Sequence, residues 1–168
     1  MLMYLFVVVV FLVLPMSCSV SESAVVSAPA LSLFRLIAPL TFSYAPSIIV
    51  KSEVKGQRGG HADIVTIGQI HQLTFKDKTI QDIECTMAGE VGFGKFAVSW
   101  RLVDSDPGTQ CLAKEYKVMI TEVTETKDSF VEWETKLSRD CSNEMLLDAK
   151  YKACEHLAAM KQFVARVK

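Results

Sequence analysis

This sequence ends in an alternating stretch, S-F-V-E-W-E-T-K-L-S from Ser129 to Ser138, followed by one helical pattern from Ser142 to about Val167. In the alternating stretch Val131, Trp133, Thr135 and Leu137 face one way and Phe130, Glu132, Glu134 and Lys136 the other, as in a half-buried strand. In the helical pattern Leu146, Ala149, Ala153, Leu157, Met160, Val164 and Val167 recur at three- and four-residue steps, so they share one helix face. A helix of about 25 residues is roughly 37 Å long. An apolar face of that length has to lie on something, and a sheet whose last strand feeds directly into it is the simplest partner.

The preceding residues supply the sheet. Glu22 to Ser27 reads as a first strand, and Ser27-Ala28-Pro29-Ala30 as a helix start with proline in the first turn. Leu33, Phe34, Leu36 and Ile37 give that helix a brief apolar face before Pro39 ends it. The Pro-bounded piece Thr41 to Ser47 has room for a turn or a second small helix. From Ile48 the period becomes two, with strands expected at Ile48–Lys55, Ile64–Phe75, Thr79–Ala88, Lys95–Val103, Cys111–Thr124 and Ser129–Ser138. Gly56 to Gly60, Lys76-Asp77-Lys78, Gly89 to Gly94, Asp104 to Gly108 and Glu125 to Asp128 supply turn chemistry between them. Links this short join antiparallel neighbours. The expected fold is therefore α+β: a seven-stranded curved antiparallel sheet wrapped around a long C-terminal helix, with two short helices after the first strand.

The first sixteen residues contain no charged side chain, and Ser17 and Ser19 flank Cys18, as around a secretory cleavage site. The apolar run is shorter than the roughly 20 residues of a spanning helix. Residues 1–19 are thus expected to be a signal peptide, or a signal anchor, and 20–168 a single domain. The expected localisation is secreted or endomembrane lumen, membrane-anchored if the leader is retained. With 18 Lys and Arg against 19 Asp and Glu, scattered along the chain, no basic face points to nucleic acid. Cys18, Cys85, Cys111, Cys141 and Cys154 form no C-x-x-C pair, and His61, His71 and His156 stand at no ligand spacing to a cysteine pair, which speaks against zinc. They read as isolated thiols, with one or two bridges open to them in an oxidising compartment. No cofactor is expected, and the domain is expected to be a monomer.

Three segments carry a resemblance. They are A-V-V-S-A-P-A-L-S-L-F-R-L-I (Ala24 to Ile37), G-Q-I-H-Q-L-T-F-K-D-K-T (Gly68 to Thr79), and above all S-F-V-E-W-E-T-K-L-S with D-A-K-Y-K (Asp148 to Lys152). With them the chain resembles the START-like superfamily, which includes birch-pollen-allergen-type proteins and the polyketide cyclase/dehydrase and lipid-transport group. The resemblance implies a helix-grip fold enclosing an apolar cavity for a lipid, sterol, polyketide or other small lipophilic ligand. The chain departs from that family's pattern at Tyr44-Ala45, where Trp or His is frequent before Pro46, and at His71, where Arg is common. The strand after Gly94 and the Asp104 to Gly108 loop, a cavity mouth in many relatives, are also atypical.

Strand parity puts Ile67, Gln69, His71, Leu73 and Phe75 on the inward face, then Ile83, Cys85 and Met87, then Phe96, Val98, Trp100 and Leu102. Tyr116, Val118, Ile120, Trp133 and Leu137 continue that face, opposite Leu157, Met160 and Val164 of the helix. Such a set either lines a cavity or fills a core. Taken with the resemblance, His71, Phe75, Cys85, Met87, Phe96, Val98, Trp100, Tyr116, Val118, Trp133, Leu157 and Met160 are the candidate ligand-binding residues. His71 and Tyr116 are the polar members, able to orient a ligand or, in a cyclase- or aromatase-like enzyme, to move a proton. A secreted interaction domain with a filled core is the remaining alternative. Asp104 and Asp106 suit turn geometry, and Gly89 to Gly94 lacks the Lys-Ser/Thr of a phosphate loop.

Overall fold

The computed structural model describes residues 18–56, 65–109 and 114–167. The chain runs β1 (Cys18–Val26), α1 (Ala30–Ile37), β2 (Ile49–Val54), β3 (Ile70–Phe75), β4 (Ile80–Gly92), β5 (Lys95–Asp106), β6 (Lys114–Glu122), β7 (Ser129–Leu137) and α2 (Asn143–Val167). All seven strands form one antiparallel sheet in the order β1-β7-β6-β5-β4-β3-β2. Most of the sheet is a meander, and only β1 joins out of turn, closing the edge beside β7. The leader through Ser17, together with His61, Cys111 and the start of the strand expected from Ile64, lies outside the described residues.

Each strand of the sheet buries one side of its pleat. In β7 Val131, Trp133, Thr135 and Leu137 are buried and alternate with outward residues. β1 pairs along its length with β7, from Cys18 opposite Leu137 to Val26 opposite Ser129. Cys18 and Ser19, expected at the end of the leader, are thus the first two residues of that ladder. The Ser129 hydroxyl donates to the Ala28 carbonyl at 2.6 Å, tying the start of β7 to the β1–α1 link. After β7 the chain reverses, and the Met145 N–H donates to Ser142 Oγ at 3.3 Å, a cap that starts α2. The helix then lies across β1 and β7 on Ala153, His156, Leu157 and Met160. Val167, counted on its apolar face, is exposed because the last turn projects past the sheet-covered stretch.

α1 covers β5 and β6 with Ala30, Leu33 and Ile37, and its Phe34 ring stacks on Phe96 at 5.1 Å. The expected second short helix does not form. Residues 38–48 make successive turns, with Leu40 and Phe42 at positive φ, while Pro39 and Pro46 deny the continuous hydrogen bonding a helix needs. Leu40, Phe42, Tyr44 and Ala45 of this segment are nevertheless buried, and the Ser52 hydroxyl anchors it by donating to the Leu40 carbonyl.

Three further departures bear on the inward face. The strand expected from Ile64 begins only at Ile70, because Gly68 takes φ +84° in a turn that leaves Ile67 exposed. β4 runs through the expected Gly89 to Gly94 loop, and only Phe93-Gly94 turns the hairpin. The register of β4 against β5 also shifts between Cys85 and Met87. A bulge inserts one residue and so reverses the side on which later residues point. Cys85 stays fully buried opposite Trp100, but Met87, expected inside, is exposed on the outer face opposite Ser99.

Candidate functional site

Between the sheet and the N-terminal half of α2 lies a cavity of about 100 Å3. Its apolar lining is Phe42, Ile49, Leu73, Phe75, Ile83, Trp100, Tyr116, Trp133 and Leu137, with Met145, Ala149, Ala153 and His156 from α2. The rings interlock: Trp100 stacks on Tyr116 at 5.5 Å and meets Trp133 and Phe42 edge-on at 5.4 and 5.6 Å. Such packing fixes the walls, since each aromatic pair adds about 0.5–1.5 kcal/mol beyond its area burial.

The opening is polar and charge-balanced. Asp77, Thr79 and Gln81 come from the β3–β4 turn and the start of β4, Lys114 from β6, and Asp148 and Lys152 from α2. Lys152 pairs with Asp148 at 2.8 Å. The Asp77 carboxyl is held below the usual carboxylate range, first by the Thr79 backbone N–H at 2.9 Å and also by the charge of Lys152. No residue of Gly89 to Gly94 or Asp104 to Gly108 lines the cavity, which borders the β3–β4 turn and α2 instead.

His156 forms the polar floor. It is 6% exposed, its ring stacks on Trp133 at 4.7 Å and 16°, and Phe42 and Tyr44 stand 5.8 and 6.1 Å away. Its Nδ1 lies 3.4 Å from the Tyr44 hydroxyl. Burial, with a smaller contribution from Lys152, lowers the imidazole from the ordinary 6.5 to about 4, so it is uncharged at neutral pH. Burial also raises the Tyr44 phenol well above its usual range.

Of the candidate residues, Phe75, Trp100, Tyr116 and Trp133 meet at the cavity. Cys85, Val98, Val118, Leu157 and Met160 are buried but belong to packed core outside its lining, and half-buried Phe96 packs under α1. His71 is 2% exposed on β3 and does not line the cavity either; its Nε2 has no hydrogen-bond partner, and burial lowers its pKa. Burial pushes the Cys85 thiol up. The sequence reading passed over Phe42, Tyr44, Lys152 and His156. His156 carried a signal, since Ala149, Ala153, His156 and Met160 are spaced by four, three and four, but counting only apolar residues on the helix face hid it. Among the described residues no cluster of three or more His, Cys, Asp or Glu could hold a metal, and Cys18, Cys85 and Cys154 are free thiols.

No protein-family model and no curated protein matches this chain. Solved structures do. A structural-genomics protein from Nitrosospira multiformis superposes with TM-score 0.68 at 20% identity, covering 86% of this chain and 94% of its own. The crystal structure of Ara h 8.0201 superposes with TM-score 0.67 at 13% identity, covering 90% of this chain and 99% of that one. This chain has the helix-grip fold. XoxI of Bacillus cereus shares it, with TM-score 0.66 at 14% identity over 89% of this chain and 96% of that one. The common core of the helix-grip fold is the strand order and the long terminal helix, the two features written most plainly in the sequence of this protein.

Proposed function

We propose that the protein binds and carries a small hydrophobic molecule in the cavity between the sheet and α2. The observation that supports this is the aromatic-walled space beneath Trp100, Tyr116 and Trp133, left open beside a core that is otherwise tightly packed around Met160 and Val118. Its volume suits a single-ring molecule better than a sterol, being below the roughly 150 Å3 of a cavity that takes up benzene and well under the roughly 300–1,000 Å3 of drug-sized pockets. Burying about 200 Å2 of apolar ligand surface contributes about 5 kcal/mol before association costs. Weak, exchangeable binding follows, as carriage requires. The charge-balanced mouth fits an uncharged ligand, because neither ion type stands there in excess.

In this reading the leader delivers residues 20–168 to the secretory route as a monomeric carrier, or tethers them if it is retained. Native mass spectrometry of the protein purified from cells tests the binding role. A co-purified lipophilic mass, released into organic solvent, is the expected result. A clean unliganded mass together with no NMR chemical-shift response to toluene refutes it.

A further inference from the structure

Resting on the binding role just proposed, we infer that His156 presents a single fixed N–H donor to the cavity and so selects an apolar ligand carrying a neutral acceptor oxygen, such as an aryl ketone. The Tyr44 hydroxyl is buried, and among the described residues its hydrogen-bond partner is His156 Nδ1. If Nδ1 carried the proton and donated it, the phenol hydrogen would be left in apolar surroundings with no acceptor. A stranded buried donor is costly. The phenol therefore donates, Nδ1 accepts, and the imidazole proton sits on Nε2.

That nitrogen has no protein partner among the described residues, and His156 is part of the cavity lining. The ring cannot turn away, being held face to face with Trp133 at 4.7 Å. Charging it is opposed from every packed element: Tyr44 and Phe42 of the 38–48 segment and Trp133 of β7 offer no carboxylate, and Lys152 stands one turn back on α2. Asp77 and Asp148 lie at the mouth, and Asp148 is paired with Lys152. A neutral donor among aromatic faces matches a carbonyl on a flat apolar body, a ligand that brings the missing acceptor and fills the space with its ring.

The test compares acetophenone with cumene, near-isosteric molecules that differ in the carbonyl, by NMR chemical-shift titration at pH 7.5. The protein is expected to bind acetophenone roughly fivefold more tightly, the ratio of one net hydrogen bond. The double variant Tyr44→Phe/His156→Phe, which replaces both partners with apolar rings, is expected to reverse the preference and bind cumene more tightly, because the ketone oxygen is then buried with no donor. A long-range 15N–1H spectrum of the unaltered protein should show His156 protonated on Nε2. Equal binding by the unaltered protein, a preference that survives in the double variant, or an Nδ1-protonated ring overturns the inference and leaves the binding role standing. Failure of both molecules to bind overturns the two together.

Discussion

Acidification should unfold this protein through His156, and the size of the effect follows from its surroundings. The imidazole is 6% exposed, stacked on Trp133 and lowered to about 4, while in the unfolded chain it returns to 6.5. Between those values the unfolded state binds the proton and the native state does not. Stability from this group is therefore complete above pH 6.5, declines as pH falls, and is gone once pH has passed below 4. At 1.36 kcal/mol per tenfold, the linkage between pH 7.5 and pH 4.5 is about 2.5 kcal/mol. His71, also lowered, and the carboxylates add their own dependence, so a single protein cannot isolate the term. His156→Gln can: its amide oxygen can accept from Tyr44 and it does not titrate. Urea unfolding of both proteins across this range should show the stability difference between them moving by about 2.5 kcal/mol in favour of the variant as pH falls. A difference constant to within about 0.5 kcal/mol would refute a buried, neutral His156.

Trp133→Ala should destabilise the fold by about 3–5 kcal/mol in urea, because the ring supports both Trp100 and His156, and a loss under about 1 kcal/mol would mean that the aromatic wall is not packed. His71→Leu should leave the melting temperature unchanged or raise it, since it removes a buried nitrogen without a partner; a loss above about 2 kcal/mol would reveal one. With a thiol-reactive disulfide, exposed Cys154 should be modified in the native protein, whereas fully buried Cys85, its thiol pushed up by burial, should react only on unfolding. Rapid native modification of Cys85 would place it at a surface.

The sequence states the grip plainly because both of its parts are periodic over long stretches. Nine residues of β7 alternate without a break, and α2 follows its repeat from Leu146 to Val164. The sheet order follows as well, since short links leave antiparallel neighbours as the available arrangement. The cavity was only partly legible, for reasons of two kinds. Parity places a side chain correctly only until a residue is inserted, and Thr86 shows nothing that announces the bulge between Cys85 and Met87. Trp100 and Trp133 lie on strand stretches whose parity holds, and they meet as expected; Met87 lies beyond the shift and does not.

The second kind concerns polar residues. A search for apolar stripes reads Tyr44 as part of a turn and His156 as a gap, although each is buried and each supplies the other's hydrogen-bond partner. Their pairing spans 112 residues, joining the irregular segment before β2 to the middle of the last helix, and no local pattern can encode a contact at that distance. His71 drew attention for the opposite reason: a lone histidine among apolar neighbours on a regular strand is easy to see. The open volume lies between the strands and the first half of α2, with Phe42 the one residue of the 38–48 turns on its wall.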